Sequence, residues 1–86
     1  MTPYRLAFET RARRELKKLT PEIAVRIAFA IAALADNPRP RGCLKLEGSA
    51  LWRIRVGQYR VIYEVQDSEQ VIIITRIDDR SDVYRK

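Results

Sequence analysis

Three arginines crowd the segment Trp52-Arg53-Ile54-Arg55-Val56-Gly57-Gln58-Tyr59-Arg60. If Gly57-Gln58 is a two-residue turn, Val56 faces Tyr59, Arg55 lies directly opposite Arg60, and Arg53 sits two residues along on the same face. Like charges directly opposite across a ladder are destabilising, so the grouping makes structural sense when an anion completes it. A guanidinium fork grips phosphate bidentately and stays charged at any working pH. The pattern points to phosphate or nucleic-acid binding. Spacing leaves the alternative open: a solvated sheet face, or arginines paired with Glu64 and Asp67.

Other residues could extend such a site. Arg80 and Tyr84, four apart, would add a cation and a ring able to stack on a base, if the chain folds back beside the hairpin. Tyr84 plugging the end of the core is the competing reading. Arg11, Arg13, Arg14, Lys17 and Lys18 form a basic run that is either a wet helix face or the electrostatic footprint of a nucleic-acid binder. Asp78, Asp79 and Asp82, with Arg80 among them, read as a solvated turn rather than Mg²⁺ ligands. Trp52 is expected in the core, and Cys43 as a small buried apolar residue.

Composition narrows the chemistry. The chain has 86 residues, 17 Lys or Arg, 11 Asp or Glu, no His and one Cys, for a net charge of +6. Without histidine, Ser-His-Asp, Cys-His and paired-His nuclease designs are excluded. A single cysteine makes neither an intramolecular disulfide nor a Cys-based zinc site. No cofactor and no metal are expected. The basic excess sits mostly in residues 1–43, and a pI near 10.0 suits an anionic partner: nucleic acid, an acidic protein segment or a membrane surface. No apolar run approaches the ~18 residues of a membrane span, and no charged-then-apolar leader is present, so the expected compartment is the cytoplasm.

The elements that must position these residues follow from periodicity. Tyr4, Leu6 and Phe8 alternate with Arg5 and Ala7, predicting a short strand over 3–8. Thr10 is the expected cap of a first helix, with Ala12, Leu16 and Leu19 on its inner face. Thr20-Pro21-Glu22 starts a second helix running to about Asp36, with Ile23, Ile27, Ile31 and Leu34 on one face. Asn37-Pro38-Arg39-Pro40-Arg41-Gly42 breaks helical structure. The period then becomes 2: residues 52–56 and 59–66 predict a hairpin, and Asp67-Ser68-Glu69-Gln70 a turn. Val71-Ile72-Ile73-Ile74 reads as a strand covered on both faces. The order is β-α-α-β-β-β with a short tail: one α+β domain over 1–86, with helices packed on a small, mostly antiparallel sheet.

Leu44-Lys45-Leu46-Glu47-Gly48, the segment Trp52–Tyr63, Asn37-Pro38 and Arg80-Ser81-Asp82-Val83-Tyr84 together strongly resemble the signature of the RelE/ParE superfamily of bacterial and archaeal toxins, leaning to its RelE branch. The resemblance spans about Tyr4 to Arg85. It implies a RelE-like fold and a small metal-independent endoribonuclease that cuts mRNA in the ribosomal A site by 2′-hydroxyl attack and stops translation. It also implies silencing by a RelB-like antitoxin, and contact with operator DNA only through the antitoxin complex, with no membrane role. By the same resemblance Arg53 and Arg55 occupy the hairpin positions near the 2′-hydroxyl and scissile phosphate, and Arg60 matches the arginine that stabilises the transition state. Arg80 and Tyr84 match the C-terminal basic residue and the tyrosine that orients mRNA. Several relatives carry lysine at the positions of Arg53 and Arg55, and many carry histidine at Asp79. Both departures bear on proton transfer rather than phosphate binding, because a guanidinium is a poor proton acceptor. A ParE-like gyrase inhibitor, or a degenerate toxin kept as an antitoxin-binding or regulatory module, are the alternatives.

Overall fold

Alternation of Leu6 and Phe8 with Arg5 and Ala7 yields strand β1 (Arg5–Phe8), its larger side chains turned to one face. In the computed structural model, which describes residues 2–79, β1 is followed by α1 (Thr10–Lys17), α2 (Pro21–Leu34), β2 (Leu44–Lys45), β3 (Leu51–Val56), β4 (Tyr59–Gln66) and β5 (Val71–Asp79). The five strands form one sheet in the order β1-β5-β4-β3-β2. β1 runs parallel to β5 with Arg5 beside Val71, and every other neighbouring pair is antiparallel. This is the expected α+β class. The two-residue β2, opposite Trp52 and Arg53, is an addition, too short to show a period in the sequence.

Both helices pack on one face of the sheet. The core there is Ala12 of α1, Ile27, Ile31 and Leu34 of α2, and Ile54, Val61, Tyr63, Ile72, Ile74 and Ile77 of the strands. Thr20, Pro21 and Glu22 start α2 as expected, and α2 stops at Leu34, before Asn37-Pro38 can follow it into helical dihedrals. The start of α1 differs from expectation. Its cap is Glu9, still extended, because the Glu9 amide donates to the Ile74 carbonyl at 2.9 Å and prolongs the β1–β5 ladder by one residue. Thr10 is therefore the first helical residue rather than the cap.

β5 departs most from the sequence pattern. It runs on to Asp79 because β4 supplies partners as far as Tyr59, so Asp78 and Asp79 lie in a strand instead of a solvated turn. Its apolar run is buried on one side only: Ile72 and Ile74 are fully covered, while Val71 and Ile73 are half-buried on the face away from the helices. A bulge then resets the alternation. Ile62 pairs with Arg76 and Tyr63 with Ile74, leaving Thr75 as the extra residue, whose hydroxyl donates to the Ile62 carbonyl at 3.1 Å. The bulge turns Ile77 inward and sends Arg76 and Asp78 to the opposite face.

Candidate functional site

The Gly57-Gln58 turn closes the β3–β4 hairpin with Val56 opposite Tyr59 and Arg55 opposite Arg60. Gly57 has φ +62° while Gln58 does not adopt positive φ, the signature of a type II′ turn whose twist suits a hairpin. Arg53 sits opposite Ile62, two residues from Arg55 on the same face. The expected juxtaposition of Arg53, Arg55 and Arg60 is thus what the strand register produces. This face lies away from the helices, and no described element covers it. Arg55 is exposed, whereas Arg53 and Arg60 are half-buried.

The sequence missed two members of the face. On β5, Asp78 stands opposite Arg60, and Arg76 stands opposite Ile62. Asp78 Oδ2 accepts from Arg60 at 3.4 Å and its Oδ1 accepts from Arg76 at 2.6 Å, so one carboxylate joins two guanidiniums. Only the Thr75 bulge places them there, and its sole trace in the sequence is the three-residue step from Ile74 to Ile77.

The alternative ion pairs for the arginines do not form. Glu64 accepts from the Gln66 amide at 3.1 Å. Asp67 takes Arg39 through both oxygens at 2.8 and 3.3 Å and the Tyr4 hydroxyl at 2.7 Å. These hydrogen bonds, Arg39 first and then Tyr4, hold the Asp67 carboxyl below the usual carboxylate range. The Arg39 guanidinium also lies 5.0 Å from the centre of the half-buried Trp52 ring. Nearby, the buried Tyr63 hydroxyl donates to the Pro38 carbonyl at 2.7 Å, and burial pushes its ionisation up. Together these contacts tie the linker after α2 to the sheet that carries the arginines.

The basic run of α1 is exposed, with Arg11 paired to Glu15 at 3.2 Å. Glu15 also reaches past the end of β1 to accept from the Ile77 amide at 2.7 Å, satisfying a donor that β1 leaves open. Of the five basic residues only Lys18 approaches the arginine face. It lines a cavity of about 560 Å³ with Arg60, Arg76 and Asp78 at the end of β4 and β5. Arg11, Arg13, Arg14 and Lys17 do not line it. Arg80 and Tyr84 lie outside the described residues, as does Asp82. Among the described residues no three His, Cys, Asp or Glu side chains converge as metal ligands. Cys43 is half-buried and forms no disulfide. No helix is long and apolar enough to cross a membrane.

A row of cations along a strand pair can hold successive phosphates of a nucleic-acid backbone. Comparison with known proteins finds relatives along nearly the whole chain. The family model for the ParE toxin of the type II toxin–antitoxin system parDE matches residues 6–84. The toxin RelG of Mycobacterium tuberculosis is 38% identical over 98% of this chain and 99% of its own length. Among solved structures, the toxin–antitoxin complex RelBE2 of M. tuberculosis matches at TM-score 0.78 and 36% identity, covering 95% of this chain and 97% of that one. The archaeal RelE–RelB complex of Pyrococcus horikoshii matches at TM-score 0.81 and 34% identity, covering 93% and 97%.

Proposed function

From the premise that this chain belongs to the RelE/ParE superfamily of type II toxins, we propose that it is a ribosome-dependent mRNA endonuclease that cuts the A-site codon and stops translation. The observation that carries this reading is the register placing Arg55 across from Arg60, with Arg53 beside them, on the sheet face away from the helices. In the reaction the ribose 2′-oxygen attacks the adjacent phosphorus and the bond to the 5′-oxygen breaks. The products are a 2′,3′-cyclic phosphate and a 5′-hydroxyl, the proton moving in net from the 2′- to the 5′-oxygen. Arg60 and Arg55 offset the charge that grows on the phosphoryl oxygens, and Arg53 lies toward the attacking ribose. Guanidiniums do not accept protons at working pH, so the protein acts by positioning and electrostatics, while ribosomal RNA and the substrate carry the proton. Arg80 and Tyr84 complete the mRNA contacts in this proposal, and the exposed basic residues of α1 face the ribosome.

A RelB-like antitoxin is the proposed partner, since several structural relatives are complexes with RelB. The cytoplasm is the compartment where these partners meet. The test is primer extension on ribosomes carrying a defined mRNA, with Arg60→Ala alongside. Cuts confined to the A-site codon, absent without ribosomes and reduced about 10²–10³-fold in the variant, support the proposal. Intact mRNA beside an active reference toxin refutes it. One observation favours a second reading: the family model that matches is named for ParE. A ParE-like gyrase inhibitor would block DNA supercoiling and leave mRNA whole.

A further inference from the structure

Asp78 is an odd residue for its place. Aspartate is disfavoured in strands, and this one sits near the end of β5 among cations, its side chain only 12% exposed beneath the two arginines it joins. The carboxylate is largely covered while both guanidiniums still reach solvent. What the carboxylate does is fix two guanidiniums around one anion-sized position. Arg60 and Arg76 each use a terminal nitrogen on it, one per oxygen. The Nε atoms of both arginines are buried without a hydrogen-bond partner, a sign that this corner has more donors than acceptors. Arg55, directly across from Arg60, has no ion pair among the described residues. On this face Arg55, Arg60 and Arg76 thus stand around the single carboxylate of Asp78, while Glu15 and Asp79 line the adjoining cavity from its rim.

We propose that Asp78 is a positioning residue: it holds Arg60 and Arg76 around the spot a backbone phosphate takes, adds Arg76 to the phosphate-binding set, and lowers the affinity of the face for RNA in doing so. An incoming phosphate shares or displaces the carboxylate and inherits arginines already aimed at it. The weaker grip keeps the face from saturating on any passing RNA strand. This inference rests on the RNA-directed reading above, but its test does not need cleavage.

The probe is a 2′-O-methyl RNA oligonucleotide, which cannot be cut, titrated against the full-length chain from 50 to 200 mM salt. Asp78→Asn frees one cation for the backbone. The slope of log K against log salt steepens by about 0.7, and binding tightens about eightfold at 50 mM and about threefold at 200 mM. Arg76→Gln moves the slope the other way by a similar amount, and Asp78→Glu keeps the wild-type slope. An unchanged slope in Asp78→Asn, weaker binding in that variant, or no effect of Arg76→Gln overturns the proposal. So does a wild-type chain that does not bind the probe. The A-site cleavage assay, run separately, decides the endonuclease reading: a chain that cuts nothing yet shows these slope changes retains the role of Asp78 and loses the proposed reaction.

Discussion

Tyr63 anchors the linker that follows α2, and removing one oxygen tests that anchor. Tyr63→Phe keeps the ring, which is 0% exposed and is the largest fully buried side chain among the described residues, so packing is preserved. The substitution removes the 2.7 Å hydrogen bond to the Pro38 carbonyl. A net hydrogen bond contributes about 1 kcal/mol, and an acceptor left half-buried adds part of its desolvation cost, giving a loss of about 1.5 kcal/mol. For a domain of this size that lowers Tm by about 6–12 °C. The assay is urea and thermal unfolding followed by circular dichroism, repeated from pH 7 to 11. Burial raises the Tyr63 ionisation, so the folded chain keeps this proton above pH ~10 while the unfolded chain releases it. Wild-type stability therefore falls as pH rises past ~10 through a route the variant lacks, and the gap between the two narrows. A Tm change below about 2 °C at pH 7, or a gap that widens at high pH, refutes the assignment.

Three further outcomes follow from other contacts. Gly57→Ala puts a side chain at φ +62°, with its Cβ 3.3 Å from the Arg26 guanidinium; the arginine tip can move, so the backbone sets the cost at about 1–2 kcal/mol in urea unfolding. Asp67 has its carboxyl held low by Arg39 and Tyr4, so its contribution is present above the unfolded value near 3.9 and lost as pH falls through the folded one. The stability difference between wild type and Asp67→Asn should accordingly shrink in acid unfolding below pH ~4. Glu15→Ala strips the acceptor from the Ile77 amide and should cost about 2 kcal/mol, whereas Glu15→Gln, which keeps an oxygen there, should cost less than half of that by the same measurement.

Much of the arginine face could be read in advance because it depends on local rules. A glycine at the first position of a two-residue turn fixes the hairpin register, and strict alternation from Trp52 to Val56 then decides which side each arginine takes. Helix α2 was legible for similar reasons, with Pro21 at its first turn and Ile27, Ile31 and Leu34 one or two turns apart. The failures all involve a partner distant in sequence. Glu9 caps α1 because its amide is engaged with Ile74 across the sheet. Asp78 and Asp79 join β5 because β4 is long enough to receive them. Arg76 reaches the site only through the bulge at Thr75, and a period-2 reading assigns it to the wrong face. Lys18 lines the cavity beside Arg60 while the other basic residues of the run do not, because helix orientation is set by packing on β5.

The parallel pairing of β1 with β5 has a consequence for the order of events during synthesis. The first strand made finds its ladder partner in the last one: Tyr4 meets Asp67 across 63 positions, and Glu15 meets Ile77 across 62. Loop closure over that distance must precede any reward from the contacts it allows, which favours slow folding governed by non-local pairing. The helical hairpin can form early, but Ile27, Ile31 and Leu34 have no floor to rest on until β4 and β5 arrive. Arg60 and Asp78 meet only then as well. A nascent chain still missing β5 holds the arginines of β3 and β4 but not the strand that aligns Arg60, so the ribosome making this protein must release β5 before the arginine face is complete.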